Sequence, residues 1–285
     1  MAYGVTSKNQ FVLPGTSNSE NPNQLDTLFF TDLIQSAGPS STSPAQGGVF
    51  YLANANGGSV TNNSTAHFAA MGVTASNGTC SVSTGTTNNA TGYSLLLTNT
   101  SILPGITAAL NTGVMNKWEC EALVRTDSTI FENTTPVHGE YRFGFMNSGT
   151  NATPADGVYF SCLVNGTTNE TTWKVVFTKD ASAERIDTGV TVSASTTYRL
   201  YLCVEIAQDG TYTTTYKIRS GSTSTEGTAA PTTLARYPSA TADYMGVVLG
   251  VTKAGTASVN ARFLLIDYAG ARIRRQCNRE ILLFS

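Results

Sequence analysis

Three short runs, Trp118-Glu119-Cys120-Glu121-Ala122-Leu123-Val124-Arg125, Tyr141-Arg142-Phe143-Gly144-Phe145 and Asp156-Gly157-Val158-Tyr159-Phe160, alternate their side chains, with turn-like segments between them. A repeat of two gives a strand one face for a core and one for water, and successive runs of this kind specify an antiparallel sandwich. Such a scaffold presents surfaces more often than it catalyses. The first question is therefore what the chain binds or covers.

The pattern is steadiest after Pro104, with strand runs expected at 118–124, 140–145, 157–164, 172–178, 198–206, 212–219, 243–251 and 261–268. Eight runs with turn chemistry between them suit a double-sheet jelly roll that buries Trp118, Phe143, Phe145, Tyr159, Trp173, Leu200, Leu202, Val204 and Leu264. Composition agrees. Only 13% of residues are charged, so the Glu, Lys and Arg that normally clothe helices are scarce. At the same time 12 Tyr, 12 Phe and 40% hydrophobic residues are more than a disordered chain carries. The expected fold class is all-β, an antiparallel jelly-roll sandwich with an extended N-terminal arm and a C-terminal contact segment.

Four stretches follow from this reading. Residues 1–46 form a polar arm with Pro14 and Pro22, carrying a short apolar anchor in which Leu25, Leu28, Phe29, Leu33 and Ile34 stand at helix-like spacing. The anchor is either a helical turn or two against the body or an insertion into another subunit. Residues 47–110 are rich in Gly, Thr and Asn, with plausible strands at Gly48-Val49-Phe50-Tyr51-Leu52, His67-Phe68-Ala69-Ala70-Met71 and Tyr93-Ser94-Leu95-Leu96-Leu97; they begin the sandwich or form a separate layer. Residues 111–270 are the jelly roll. Residues 271–285, with Arg272, Arg274, Arg275 and Arg279, are a closing strand or a contact arm.

The series Trp118-Glu119-Cys120-Glu121, Arg142-Phe143-Gly144-Phe145, Asp156-Gly157-Val158-Tyr159-Phe160, Trp173-Lys174-Val175-Val176, Asp187-Thr188-Gly189-Val190 and Tyr198-Arg199-Leu200 resembles a jelly-roll module of tailed-bacteriophage structural proteins, related in fold to concanavalin A-like and laminin-G-like lectins. The resemblance covers roughly 111–268 and rests on core packing and turns. It implies a framework role for Trp118, Arg142, Phe143, Trp173 and Tyr198, and a virion protein found either in capsid decoration (cement) subunits or in tail fibres.

Reactive chemistry is thin. His67 and His138 are the only histidines and lack ligand spacing; the five cysteines, Cys80, Cys120, Cys162, Cys203 and Cys277, include no Cys-x-x-Cys pair. Cys120 and Cys203 read as small buried thiols. Asp156-Gly157, Asp180, Asp187 and Asp209-Gly210 suit turns better than a calcium loop, which needs converging oxygens. Glu119 and Glu121 share a sheet face, either as an imitation of a glycosidase pair or as a solvent-facing pair around Cys120. No Gly-x-Ser-x-Gly elbow or phosphate loop is present. Neither catalytic residues nor a metal or cofactor are therefore expected.

With a formal net charge of -2 the chain has no general attraction for nucleic acid or anionic membranes, and the arginines near its end fit paired contacts to carboxylates of a neighbouring subunit. Its opening residues do not read as a secretory signal, so synthesis in a host cytoplasm is expected. The expected function is a capsid decoration protein on the outer surface of the virion. Its partners would be the major capsid protein and copies of itself, a trimer by resemblance, with contacts through Leu28, Phe29, Leu33, Ile34, Arg272, Arg274, Arg275 and Arg279. The alternative is a tail fibre or spike subunit that binds a host-surface glycan, and a polysaccharide hydrolase stands third.

Overall fold

A computed structural model describes residues 24–31, 51–55, 59–62, 80–84, 91–96, 116–128, 138–147, 153–164, 170–206, 211–232, 237, 245–254 and 261–276. These contain the strands β1 (Gln24–Thr31), β2 (Tyr51–Ala55), β3 (Ser59–Asn62), β4 (Cys80–Ser83), β5 (Thr91–Leu96), β6 (Asn116–Thr126), β7 (His138–Met146) and β8 (Gly157–Val164). They continue with β9 (Thr172–Lys179), β10 (Ser182–Thr191), β11 (Thr197–Ile206), β12 (Tyr212–Ser220), β13 (Thr223–Ala229), β14 (Gly246–Ala254) and β15 (Phe263–Gln276).

The strands form two antiparallel sheets. The first has eight strands in the order β13-β12-β11-β6-β15-β4-β3, with β1 also paired to β15; the second has seven, ordered β10-β9-β8-β7-β14-β5-β2. The fold is thus an all-β sandwich. Long β15 holds β6 along one flank, while on the other flank β4 pairs with Phe263 to Ile266 and β1 with Ala269 to Gln276. β2 and β5 belong to one sheet and β3 and β4 to the other, so the front section contributes to both layers.

Alternation decides what enters the space between the sheets. Trp118, Cys120, Ala122 and Val124 of β6 and Tyr198, Leu200, Leu202 and Val204 of β11 point inward from the first sheet. They meet Phe143 and Phe145 of β7, Phe160 of β8 and Trp173, Val175 and Phe177 of β9. Rings bridge the layers in tilted and edge-on contacts, Trp118 to Phe145 at 5.9 Å and Trp173 to Tyr198 at 5.6 Å between centroids. The Tyr198 hydroxyl also donates to the Thr191 carbonyl (3.1 Å) and accepts from the Ser193 amide (2.8 Å), so this core residue fixes the turn entering its own strand.

The middle of the second sheet, at β8 and β9, is buried on both faces. Tyr159, expected in the central core, lies on the outward face with Met146, Val176 and Val248. It takes the opposite phase from Val158 and Phe160, and that phase points away from the first sheet. Gly144 makes room for it. Its φ is +149°, and a Cβ there would stand 2.6 Å from the Tyr159 Cα, so the flat passage of β8 over β7 requires glycine.

Two readings change. Residues 24–31 form a strand, not a helical turn: a helix of this length is weak by itself, whereas β15 supplies backbone partners from Ala269 to Gln276. β10 and β13, absent from the expected runs, are the outermost strands of the two sheets. Their sequences are polar because most of their side chains face water. The expected run at 67–71 lies outside the described residues.

Candidate functional site

Two charged clusters occupy the outward faces. On the first sheet, Glu119 and Glu121 of β6 are buried, not solvent-facing, because neighbouring strands clamp them. Register sets the clamp: Tyr201 stands opposite Glu121 and Leu200 opposite Ala122, which brings Arg199 and Tyr201 of β11 to the same face. Tyr201 donates to Glu119 Oε1 at 2.6 Å, with Lys117 Nζ at 3.8 Å from the same oxygen. Glu121 Oε1 accepts from Arg199 Nε and, at 2.5 Å, from the Tyr268 hydroxyl. Glu119 Oε2 is buried without a hydrogen-bond partner among the described residues.

Glu119, Glu121, Arg199 and Tyr201 line an open groove of about 490 Å³ that runs outward over β12 and β13, where Lys217, Arg219, Ser222 and Ser224 complete it. Lys217 pairs with Glu226 at 3.0 Å on the surface. Arg219 donates through Nε to the Gly221 carbonyl at 3.1 Å, and Gly221 takes φ +57° in the tight turn between β12 and β13. Among the described residues Arg219 has no carboxylate partner.

Proton chemistry in the groove is restrained. Burial, the neighbouring Cys203 and the hydrogen bond to Glu119 push the Tyr201 phenol far above its ordinary range. Burial and the hydrogen bond to Glu121 do the same to Tyr268. The hydrogen bond to Glu121 outweighs burial at Arg199 and fixes its positive charge. Cys203 is buried and its thiol is pushed up to about 11 by burial, so no thiolate nucleophile stands beside the groove. Burial also raises the thiol of inward-facing Cys120 well above its ordinary value.

The cluster on the second sheet is closed. Glu140 of β7 accepts from Arg142 Nε at 2.6 Å and Nη2 at 2.5 Å, from Ser161 Oγ of β8, and from Arg185 Nη1 of β10 at 3.3 Å. Arg185 also grips Glu170 with two parallel bonds, Nε to Oε1 at 2.6 Å and Nη2 to Oε2 at 2.7 Å. Glu170 in turn accepts from the Leu163 amide at 2.8 Å. Burial opposes ionisation of Glu140, yet the guanidinium groups of Arg142 and Arg185 and the Ser161 hydroxyl outweigh it and hold the carboxyl below its usual range.

The turn aspartates serve structure. Asp156 accepts from Asn147 Nδ2 at 3.2 Å and from the Asp180 amide at 3.4 Å. Asp187 is drawn down to about 2, first by its hydrogen bond to Lys174 and then by the Gly189 amide. Among the described residues no group of three or more His, Cys, Asp or Glu is placed to hold a metal; His67 and Asp209 lie outside them.

The expected contact residues are brought together in part. β1 and β15 lie side by side, with Leu28 opposite Arg272, Phe29 opposite Ala271, Asp26 opposite Arg274 and Leu25 opposite Arg275. Arg272 is buried on the outward phase, opposite Glu119 in register. Leu33, Ile34 and Arg279 lie outside the described residues. Sequence reasoning missed Arg199, Tyr201, Arg219, Arg185 and Glu140; charged or phenolic residues on the wet phase of strands that are otherwise apolar were the available signal.

The class defined by this architecture is a two-sheet antiparallel jelly-roll sandwich. No protein-family model matches the chain, and no curated protein matches it. Among solved structures, a protein of unknown function from Shewanella oneidensis MR-1 is similar with a TM-score of 0.54 at 13% identity, over 89% of each chain. An endo-1,3-β-glucanase from Streptomyces sioyaensis gives 0.46 at 12% identity, over 90% of this chain and 99% of that one. Winged bean acidic lectin complexed with methyl-α-D-galactose gives 0.45 at 11%, over 88% and 100%. At these identities the likeness speaks to the fold alone.

Proposed function

We propose that this chain is a virion structural protein, a capsid decoration subunit that binds and stabilises the lattice of a major capsid protein. The observation that carries the reading is the ribbon of β1 and β15. It gathers Leu28, Phe29, Arg272, Arg274 and Arg275, from segments near both ends of the sequence, at one flank of the first sheet. β1 has no second strand partner among the described residues, so its outer edge offers backbone N–H and C=O groups to a neighbouring subunit.

The clamped side chains support a binding role over a reaction. Glu119 and Glu121 are engaged by Tyr201, Arg199 and Tyr268, and neither phenol is a base near neutral pH. Reconstruction of the intact particle tests the proposal. Many copies across the shell, with β1 against neighbouring subunits, are expected; a few copies confined to the tail would overturn it.

The groove over β12 and β13 favours a second reading, a tail fibre or spike subunit that binds a host-surface glycan. It combines hydroxyl, phenol, guanidinium and carboxylate groups in an open concavity, which is the polar inventory that polyhydroxylated ligands need.

A further inference from the structure

The groove is not electrically uniform, and its polarity is built from strand order. Its inner end is the β6 floor, where two buried carboxylates are held by β11. Its outer end is the β12–β13 hairpin, where Lys217 and Arg219 are exposed beside the hydroxyls of Ser222 and Ser224. The two ends differ in charge. At the floor, Glu119 and Glu121 line the groove and present carboxylate acceptors toward which a ligand hydroxyl can donate. At the rim, the Arg219 guanidinium spends Nε on the Gly221 carbonyl and keeps its terminal nitrogens clear of any carboxylate among the described residues.

We infer that the groove binds an acidic saccharide, with a sugar carboxylate on Arg219 at the hairpin end and sugar hydroxyls toward Glu119, Tyr201 and the two serines. An anion placed at the rim forms charge-assisted hydrogen bonds that a neutral sugar lacks. A hydroxyl at the floor donates where an anion would be repelled by Glu119 and Glu121. Position along the groove therefore sorts the two kinds of polar group on one ligand. The volume of about 490 Å³ accommodates a short oligosaccharide segment, and the open side allows the chain to continue. The ligand binds without reaction, because the Tyr201 hydroxyl keeps its proton in a hydrogen bond to Glu119 and the Glu121 carboxylate is tied to Arg199 and Tyr268.

This inference rests on the groove of the second reading and is tested on the purified full chain, separately from its place in the particle. Isothermal titration with tetragalacturonate and with its neutral counterpart galactotetraose is the measurement. The acidic probe is expected to bind at least tenfold more tightly than the neutral one, with affinity falling as salt rises. Arg219→Glu is expected to weaken the acidic probe at least tenfold, and Arg219→Lys to restore part of the loss; both are exposed substitutions whose folding is checked by far-ultraviolet dichroism. Equal affinity for the two probes would overturn the acidic class while keeping a sugar groove. Binding of neither would overturn the glycan reading altogether and leave the shell reading to the reconstruction. Undiminished binding in Arg219→Glu would place the saccharide elsewhere on the chain.

Discussion

The two charged clusters use the same residue types on equivalent outward faces and arrive at opposite states. On the second sheet, Arg185 of edge strand β10 reaches back over β9 and β8 to Glu140 and Glu170 and closes a network of two carboxylates, two guanidinium groups and one hydroxyl. On the first sheet the corresponding edge hairpin, β12–β13, keeps its cations at the rim and leaves a groove between them and the carboxylates. The difference teaches that placement along the edge, not composition, decides whether a polar face becomes a strut or a site. A reaching arginine seals the face; an arginine turned toward its own hairpin leaves it open.

Removing one side of the sealed network gives the largest expected effect. Glu140→Ala leaves Arg142 and Arg185 without their shared carboxylate in a buried setting, and urea denaturation is expected to show a loss of about 3–5 kcal/mol. A loss below about 1 kcal/mol would mean that the network is not a strut.

Acid probes the same cluster more gently. The folded-state carboxyl of Glu140 sits below its unfolded value, so its contribution is fully present above the ordinary glutamate range near about 4.3 and is lost as pH falls through the folded value. Midpoints of unfolding measured between roughly pH 6 and pH 2.5 should therefore fall with pH, and Glu140→Gln should flatten that slope. An unchanged slope in the variant would assign acid sensitivity to other carboxylates.

The groove should respond with smaller stability changes and larger binding changes. Tyr201→Phe removes the donor to Glu119 Oε1 and leaves that buried carboxylate poorly satisfied, an expected cost of about 1–3 kcal/mol by the same denaturation assay. Arg219→Ala, at an exposed position, should change stability by no more than about 0.5 kcal/mol while weakening the acidic tetrasaccharide. If Arg219→Ala unfolds the chain as readily as Glu140→Ala, the contrast between strut and site fails.

What was legible in the sequence followed one physical rule. Strands with one apolar and one polar phase, such as Trp118 to Val124 and Tyr198 to Val204, announce themselves, and their inward residues were assigned from phase alone. Tyr159 exposed the limit of that rule: β8 is buried on both faces, and a run apolar throughout does not say which phase meets the other sheet. Edge strand β10 sets only Ile186 and Val190 against the core among polar neighbours, and β13 is polar almost throughout, so neither shows a strong apolar phase. The groove was half visible. The spacing of Glu119 and Glu121 puts them on one face, but their burial depends on Arg199, Tyr201 and Tyr268, brought in by strand registers, and Tyr268 stands 147 positions from Glu121 in the sequence.

The β1–β15 ribbon also sets an order in time. Gln24 meets Gln276 only after everything between them has been made, and closing so large a loop costs more entropy than closing any hairpin in the two sheets. Hairpins such as β11–β12 and β8–β9 join neighbours in sequence and form early, whereas the ribbon completes last. A newly released copy therefore passes through a stage in which the body is built and Gln24–Thr31 still seeks a partner. At that stage a neighbouring copy's β15 competes with the chain's own, and local concentration decides the outcome.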